Sequence, residues 1–147
     1  MALVTFKATS KLVSGLQVDN HVRDFTLRMD EPQSLGGTDT GMNPVEALLV
    51  ALGSCLTIVA AAFAKAQKID LQDFWVELEG DLDPDGFLKG APGVRNGFQS
   101  VRVIPHIKSS SSPEEIEKFI AFIKTRCPVS DVMVNGTEVI ALDAVIE

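Results

Sequence analysis

Asn43-Pro44-Val45-Glu46-Ala47-Leu48-Leu49-Val50-Ala51-Leu52-Gly53-Ser54-Cys55-Leu56-Thr57-Ile58-Val59-Ala60 is the stretch on which the fold turns. Asn caps a helix, Pro suits its first position, and a Glu three residues after the cap reaches back to it. From Ala47 to Ala64 no charge appears. The pattern predicts a helix running to Gln67 or Lys68, about 36 Å at 1.5 Å per residue. A helix that is apolar all round has to be covered all round. A chain of 147 residues folds to a radius of gyration of about 15 Å, too small to wrap such a rod alone. A second copy of the chain is the simplest cover, so an obligate homodimer is expected. The run just reaches spanning length, but it holds Gly53, Ser54, Cys55, Thr57 and six alanines with no polybasic flank. It reads as a buried helix, with no membrane partner.

Before this helix, the sequence predicts a three-stranded meander over Ala2–Thr9, Leu12–Val18 and His21–Met29, with Asp19-Asn20 as a turn. In the third strand Arg23 shares parity with Phe25, Leu27 and Met29. It therefore faces the apolar side, or snorkels outward from the strand's start. Residues 30–42 form a glycine-rich loop.

After the helix, Asp73–Asp81 and Phe98–Ile107 read as paired strands. Asp83-Pro84-Asp85-Gly86 is a turn, and a glycine-rich connection follows it. Ser112-Pro113-Glu114-Glu115 repeats the capping pattern and opens a second helix that ends at Cys127-Pro128. Asp131–Ile146 returns as one or two strands around Asn135-Gly136. The fold class is α+β, in the order βββ-α-ββ-α-β. It forms one domain over 1–147, with the meander and loop at 1–42, the central helix at 43–68 and a ββαβ lobe at 73–147.

Composition excludes several functions. Twenty acidic against 13 basic residues give a net charge of −7, and a pI near 4.8 argues against nucleic acid. Met1–Lys7 has no signal-peptide pattern, so a cytoplasmic protein is expected. His21 and His106 lack ligand-spaced companions, so no zinc site is expected, and without GxGxxG, P-loop or GxSxG no cofactor is expected either. The two cysteines, Cys55 and Cys127, are too few for a disulfide scaffold and too far apart for CxxC. Each alone reads as a small core residue or a helix end. Cys55 lies about twelve positions past its cap, beyond the turn where a helix dipole favours a thiolate, so it needs a cation from elsewhere. Cys127 faces the negative end of its helix. Cys55 is thus the better attacking thiol and Cys127 the better resolving one.

The run from Asp30-Glu31-Pro32 through Gly36-Gly37 and Gly41-Met42-Asn43-Pro44-Val45-Glu46 to Gly53-Ser54-Cys55, with Cys127-Pro128-Val129-Ser130 beyond, resembles the OsmC/Ohr superfamily. These are the osmotically induced and organic hydroperoxide resistance proteins. The resemblance implies two antiparallel sheets around a long central helix, an intertwined homodimer, and sites at the subunit interface. It implies that Cys55 is the peroxidatic thiol, oxidised to a sulfenic acid by an organic hydroperoxide, and that Cys127 resolves it as a disulfide. A dithiol reductant, a lipoyl-bearing protein in the hydroperoxide-resistance branch, would restore both.

Two positions depart from the hydroperoxide-resistance branch. Its glutamate directly follows Asn-Pro, where this chain has Val45, and Glu46 comes one residue later. Glu46 is therefore either catalytic or a helix cap. That branch also has an arginine in its first hairpin, and Leu12–Val18 has none, so Arg23 is the expected thiolate partner. These departures favour the OsmC-like members. Alanines and leucines around Cys55, with Met42, Phe63 and Met133 as candidate walls, suit an alkyl or lipid-like peroxide. The alternative is a dimeric binding protein that holds an apolar ligand while both thiols stay silent.

Overall fold

The computed structural model describes residues 2–140 and 144–146, and the chain divides into two compact units, Met1–Val50 and Ala51–Glu147. Its class is α+β, as expected, and the described residues form a three-stranded and a two-stranded antiparallel sheet and four α-helices.

In the first unit, β1 (Thr9–Ser14), β2 (Gln17–Val22) and β3 (Phe25–Met29) form a meander in the order β1-β2-β3. Its boundaries differ from the sequence expectation. The turns fall at Gly15-Leu16 and Arg23-Asp24, with positive φ at Gly15 (56°) and Arg23 (54°), as tight hairpin turns require. Arg23 is therefore a turn residue rather than part of the third strand. Asp19-Asn20, expected as a turn, lies mid-strand. There Asp19 pairs with Arg28 through two hydrogen bonds of 2.8 and 2.9 Å, and Asn20 Nδ2 donates to the Leu27 carbonyl. Polar cross-strand pairs of this kind look like loop chemistry when read along one strand. Ala2–Ala8 makes no ladder among the described residues, although its alternation is strand-like.

Residues 30–43 lead from the meander into the first helix. Asp30, 2% exposed, organises this loop. Its carboxylate accepts from the backbone N–H of Glu31, Thr38 and Thr40 and from both threonine hydroxyls. The Thr38 hydroxyl leads these donors in holding the Asp30 carboxyl well below the usual carboxylate range.

Helix α1 spans Pro44–Phe63. The chain then continues through a tightened turn, closed by the Ile69 N–H to Ala64 carbonyl bond (2.9 Å) and the Lys68 N–H to Lys65 carbonyl bond (3.1 Å). With Lys68 at φ 58° and Ile69 buried behind it, this is a Schellman stop. α1 is long and apolar enough to cross a membrane by length and composition. Nevertheless Leu52, Leu56, Val59 and Ala60 pack into the protein core with Phe119, Ile123 and Cys127.

The second sheet pairs β4 (Leu71–Leu82) with β5 (Phe98–Ser109). Phe74, Leu78, Val101, Val103 and Ile107 pack against the core. The opposite face carries charge. Arg102 binds Glu79 at 3.0 Å and also binds Asp81, which holds the Asp81 carboxyl down to about 2. The sequence reading placed a turn at Asp83–Gly86, but a short helix, α2 (Pro84–Lys89), begins there, capped by Asp83 onto the Asp85 N–H. Helix α3 (Pro113–Arg126) carries the full Ser112–Glu115 capping box that was expected.

The end of the chain departs furthest from expectation. Instead of a strand beginning at Asp131, the chain forms α4 (Pro128–Asn135). Pro128 at the first position and Asp131 in the first turn favour a helix start. Val129 and Met133, four residues apart, pack against the core, and this packing overrides the β preference of the three valines. Beyond Gly136, the described residues 137–140 and 144–146 form no strand. The rest of the expected strand, 141–143 and 147, lies outside the described residues.

Candidate functional site

Cys55 and Cys127, 72 positions apart, meet with their sulfurs 2.7 Å from one another. Two segments within the second unit accomplish this. Cys55 rides on α1, whose Gly53 allows close approach to the sheet. A methyl at residue 53 would stand 2.8 Å from Leu78 Cδ1 and 3.3 Å from Val76 Cγ2. Cys127 sits at the junction of α3 and α4, ending one helix and capping the next with φ −84° and ψ 110°. Both thiols are free; Cys55 is half-buried, and Cys127 is only 2% exposed.

The sequence reading set Cys127 against the negative end of α3 alone. The structure corrects this, because its sulfur also accepts the Ser130 N–H at the start of α4 (3.3 Å). Burial nevertheless dominates. Together with the adjoining Cys55, it pushes the Cys127 thiol up from its ordinary value, against the pull of the Ser130 and Val129 N–H groups. The neighbouring Arg126 lies over the Phe122 ring at 5.3 Å. Phe122 in turn meets Phe63 edge-on, with centroids 5.4 Å apart.

The other residues named from sequence have these places. Glu46 closes a capping box, its carboxylate accepting the Asn43 N–H and its own N–H donating to Asn43 Oδ1, both at 2.8 Å. Arg23 lies in the β2–β3 turn with its guanidinium 5.0 Å from the Phe25 ring centroid, and it makes no ion pair among the described residues. Of the candidate walls, Phe63 and Met133 belong to the second unit with the thiols, and Met42 to the first. Among the described residues, no three His, Cys, Asp or Glu side chains gather as a metal site. His21 Nδ1 is 2.9 Å from the Thr26 hydroxyl, and His106 stacks on Trp75 at 3.8 Å. Asp30 was missed by the sequence reading. Its signal was an aspartate followed by Thr38 and Thr40 within a glycine-rich loop.

Comparison with known proteins agrees with this architecture. The chain is 30% identical over 100 residues to a hydroperoxide reductase of Mycoplasma genitalium, covering 66% of this chain and 64% of that protein. It is 27% identical over 99 residues to the hydroperoxide reductase of Mycoplasma pneumoniae, covering 65% and 64%. The match thus spans less than two thirds of either relative's length. Among solved structures, an OsmC-like protein from Mycoplasma pneumoniae superposes with a TM-score of 0.79 at 23% identity, over 90% of this chain and 91% of that one. An organic hydroperoxide resistance protein OsmC from Legionella pneumophila does so with 0.70 at 24%, over 92% and 93%. At these identities the structures establish the fold alone. The family model described as OsmC-like protein matches residues 37–141, and the chain belongs to that family.

Proposed function

We propose that this protein is a thiol peroxidase that reduces organic hydroperoxides through Cys55 and Cys127. The observation that carries the reading is the 2.7 Å approach of two free, sheltered sulfurs from distant parts of the chain. The names of the two Mycoplasma relatives support the same class of reaction.

Cys55 is the attacking thiol because it is the more accessible of the two, whereas burial keeps Cys127 protonated. The Cys55 thiolate attacks the terminal peroxide oxygen. An S–O bond forms, the O–O bond breaks, and the alkoxide takes a proton to leave as the alcohol. Cys127 then attacks the Cys55 sulfenic acid, the S–S bond forms, and water leaves. An external dithiol, of which a lipoyl group is one kind, supplies the two electrons that restore both thiols, as a reducing compartment such as the cytoplasm allows.

Arg23 serves as the cation for the Cys55 thiolate; that it makes no ion pair among the described residues supports this role. Glu46 serves the site by fixing where α1 begins. The working form is a homodimer. Support comes from apolar side chains left open in the single chain, on α1 (Leu48, Val50 and Ile58) and near both ends (Leu3, Phe6, Val139 and Ile146). Such exposure marks an interface. The apolar setting of Cys55 favours alkyl over hydrogen peroxide.

The test is consumption of cumene hydroperoxide. Cys55→Ser abolishes it, Cys127→Ser accumulates a sulfenic acid, and one equivalent of peroxide removes two thiols per chain by mass spectrometry. If neither thiol reacts faster than free cysteine at neutral pH, the reading fails.

A further inference from the structure

We infer that Cys127 has a second role, earlier than resolution: its thiol proton is the hydrogen bond that stabilises the Cys55 thiolate, and the start of α4 polarises it for that purpose. The inference rests on the peroxidase reading for its use, but its geometry is independent of that reading. Cys127 Sγ adjoins Cys55 Sγ at 2.7 Å, within reach of its own S–H, and the Ser130 N–H donates to Cys127 Sγ across 3.3 Å. The two bonds form one chain, from backbone N–H to thiol to sulfur, aligned so that each link strengthens the next. The first orphan N–H groups of a helix are its positive end. Pro128 at the first position has no N–H, which leaves Val129 and Ser130 to face the sulfur.

The direction of the bond follows from the surroundings. Cys127 is 2% exposed, so of the two sulfurs it is the one that keeps its proton. The influences on its ionisation are burial, Cys55 and the N–H groups of Ser130 and Val129, with no charged side chain among them. The charged groups nearest in sequence are engaged elsewhere, Arg126 on the Phe122 ring and Asp131 with Asn135 Nδ2 at 2.7 Å. A half-buried thiolate on α1, far from its own helix start, therefore receives a helix N-terminus at one remove. When Cys55 becomes a sulfenic acid, the proton held by Cys127 leaves with the departing hydroxide as water. The Ser130 N–H then stabilises the developing Cys127 thiolate.

The experiment follows alkylation of Cys55 by iodoacetamide at pH 7, read by mass spectrometry, with no peroxide present. Cys127→Ser keeps a donor of similar size, and Cys127→Ala removes it. The expected result is a Cys55 alkylation rate about tenfold lower in Cys127→Ala than in Cys127→Ser, which is what one charge-assisted hydrogen bond supplies. Equal rates in the two variants would overturn the inference. Because Cys127 also belongs to the core, a second variant leaves both thiols in place and replaces Ser130 by its α-hydroxy analogue, so that an ester oxygen stands where the N–H was. Alkylation of Cys55 is expected to slow a few-fold, with Ser130→Ala unchanged, and an unchanged rate in the ester variant overturns the role of α4. Peroxide consumption is scored separately. If the variants show the alkylation differences but the wild-type protein consumes no hydroperoxide, the peroxidase reading is lost and the hydrogen bond is kept. One that consumes hydroperoxide with no such differences loses the hydrogen bond alone.

Discussion

Gly53→Ala is the smallest change that tests whether the thiol pair depends on how closely α1 lies on β4. The added methyl would stand 2.8 Å from Leu78 Cδ1 and 3.3 Å from Val76 Cγ2, where carbon contacts prefer about 3.5–4.0 Å. The shortfall is therefore about 1 Å at Leu78 and a few tenths of an ångström at Val76. Leu78 can relieve its share by turning its terminal methyl, at about 0.5–1.5 kcal/mol for a strained rotamer. Val76 is β-branched and stiff, so its share is met by α1 lifting a few tenths of an ångström.

Alanine returns about 1 kcal/mol of helix propensity, against roughly 1–3 kcal/mol for overpacking. The net destabilisation is about 0–2 kcal/mol, a drop of about 0–8 °C in Tm for a chain of this size. Cys55 lies two residues further along the same helix, so the same lift opens the 2.7 Å gap to Cys127 toward ordinary sulfur contact. Disulfide closure is expected to slow several-fold. Thermal unfolding by circular dichroism gives the first number, and thiol loss after one equivalent of cumene hydroperoxide gives the second. A Tm raised by about 2–4 °C with unchanged thiol loss would show that only helix propensity operates at residue 53, and would refute the close-packing argument.

Three further outcomes are expected. Phe119→Ala removes a core side chain that is 2% exposed, which costs about 3–5 kcal/mol and lowers Tm by about 6–20 °C; a drop under about 3 °C would mean that Phe119 is not at the centre of the core. Asp30→Asn tests the loop carboxylate. Its folded value is depressed, so its stabilisation is complete above the ordinary carboxylate value of about 3.9 and is lost as pH falls through the depressed one. The Tm gap between wild type and variant should be widest at pH 5–7 and narrow between about pH 4 and pH 2, and a gap independent of pH would remove the charge from the explanation. Finally, light scattering should give twice the 15.8 kDa chain mass, with Leu48→Glu and Ile58→Glu together shifting the protein to monomer; a wild-type monomer would remove the homodimer.

Much of the helical architecture was legible because helix starts are written in local chemistry. Asn43-Pro44 with Glu46 and Ser112-Pro113 with Glu115 each place a cap, a proline and a reaching glutamate at fixed offsets, and both form the expected boxes. Strand boundaries were less legible, since a meander is set by its turns and a turn needs only a residue willing to take positive φ. Gly15 advertises that willingness, but Arg23 does not. The turn was therefore placed four residues early, at Asp19-Asn20, whose side chains serve cross-strand pairs instead. The end of the chain was misread for the converse reason. Val129, Val132 and Val134 favour strands locally, and only packing across the core, invisible from one segment, selects α4.

That misreading also bears on the site. Both cysteines were legible as a pair, but the electrostatics of Cys127 were read with half of its surroundings missing. A residue that ends a helix meets a negative terminus; a residue that also caps the next helix meets a positive one. Cys127 does both. With α4 absent, the cation for the thiol pair was sought by resemblance, and Arg23 stood in for the hairpin arginine of the hydroperoxide-resistance branch. With α4 in place, the Ser130 N–H reaches the pair through Cys127. Arg23→Met therefore separates two sources of activation: if the arginine alone carries it, Cys55 alkylation collapses to the free-cysteine rate. If the chain from α4 contributes as inferred, Arg23→Met retains a remainder that Cys127→Ala, in the same background, removes.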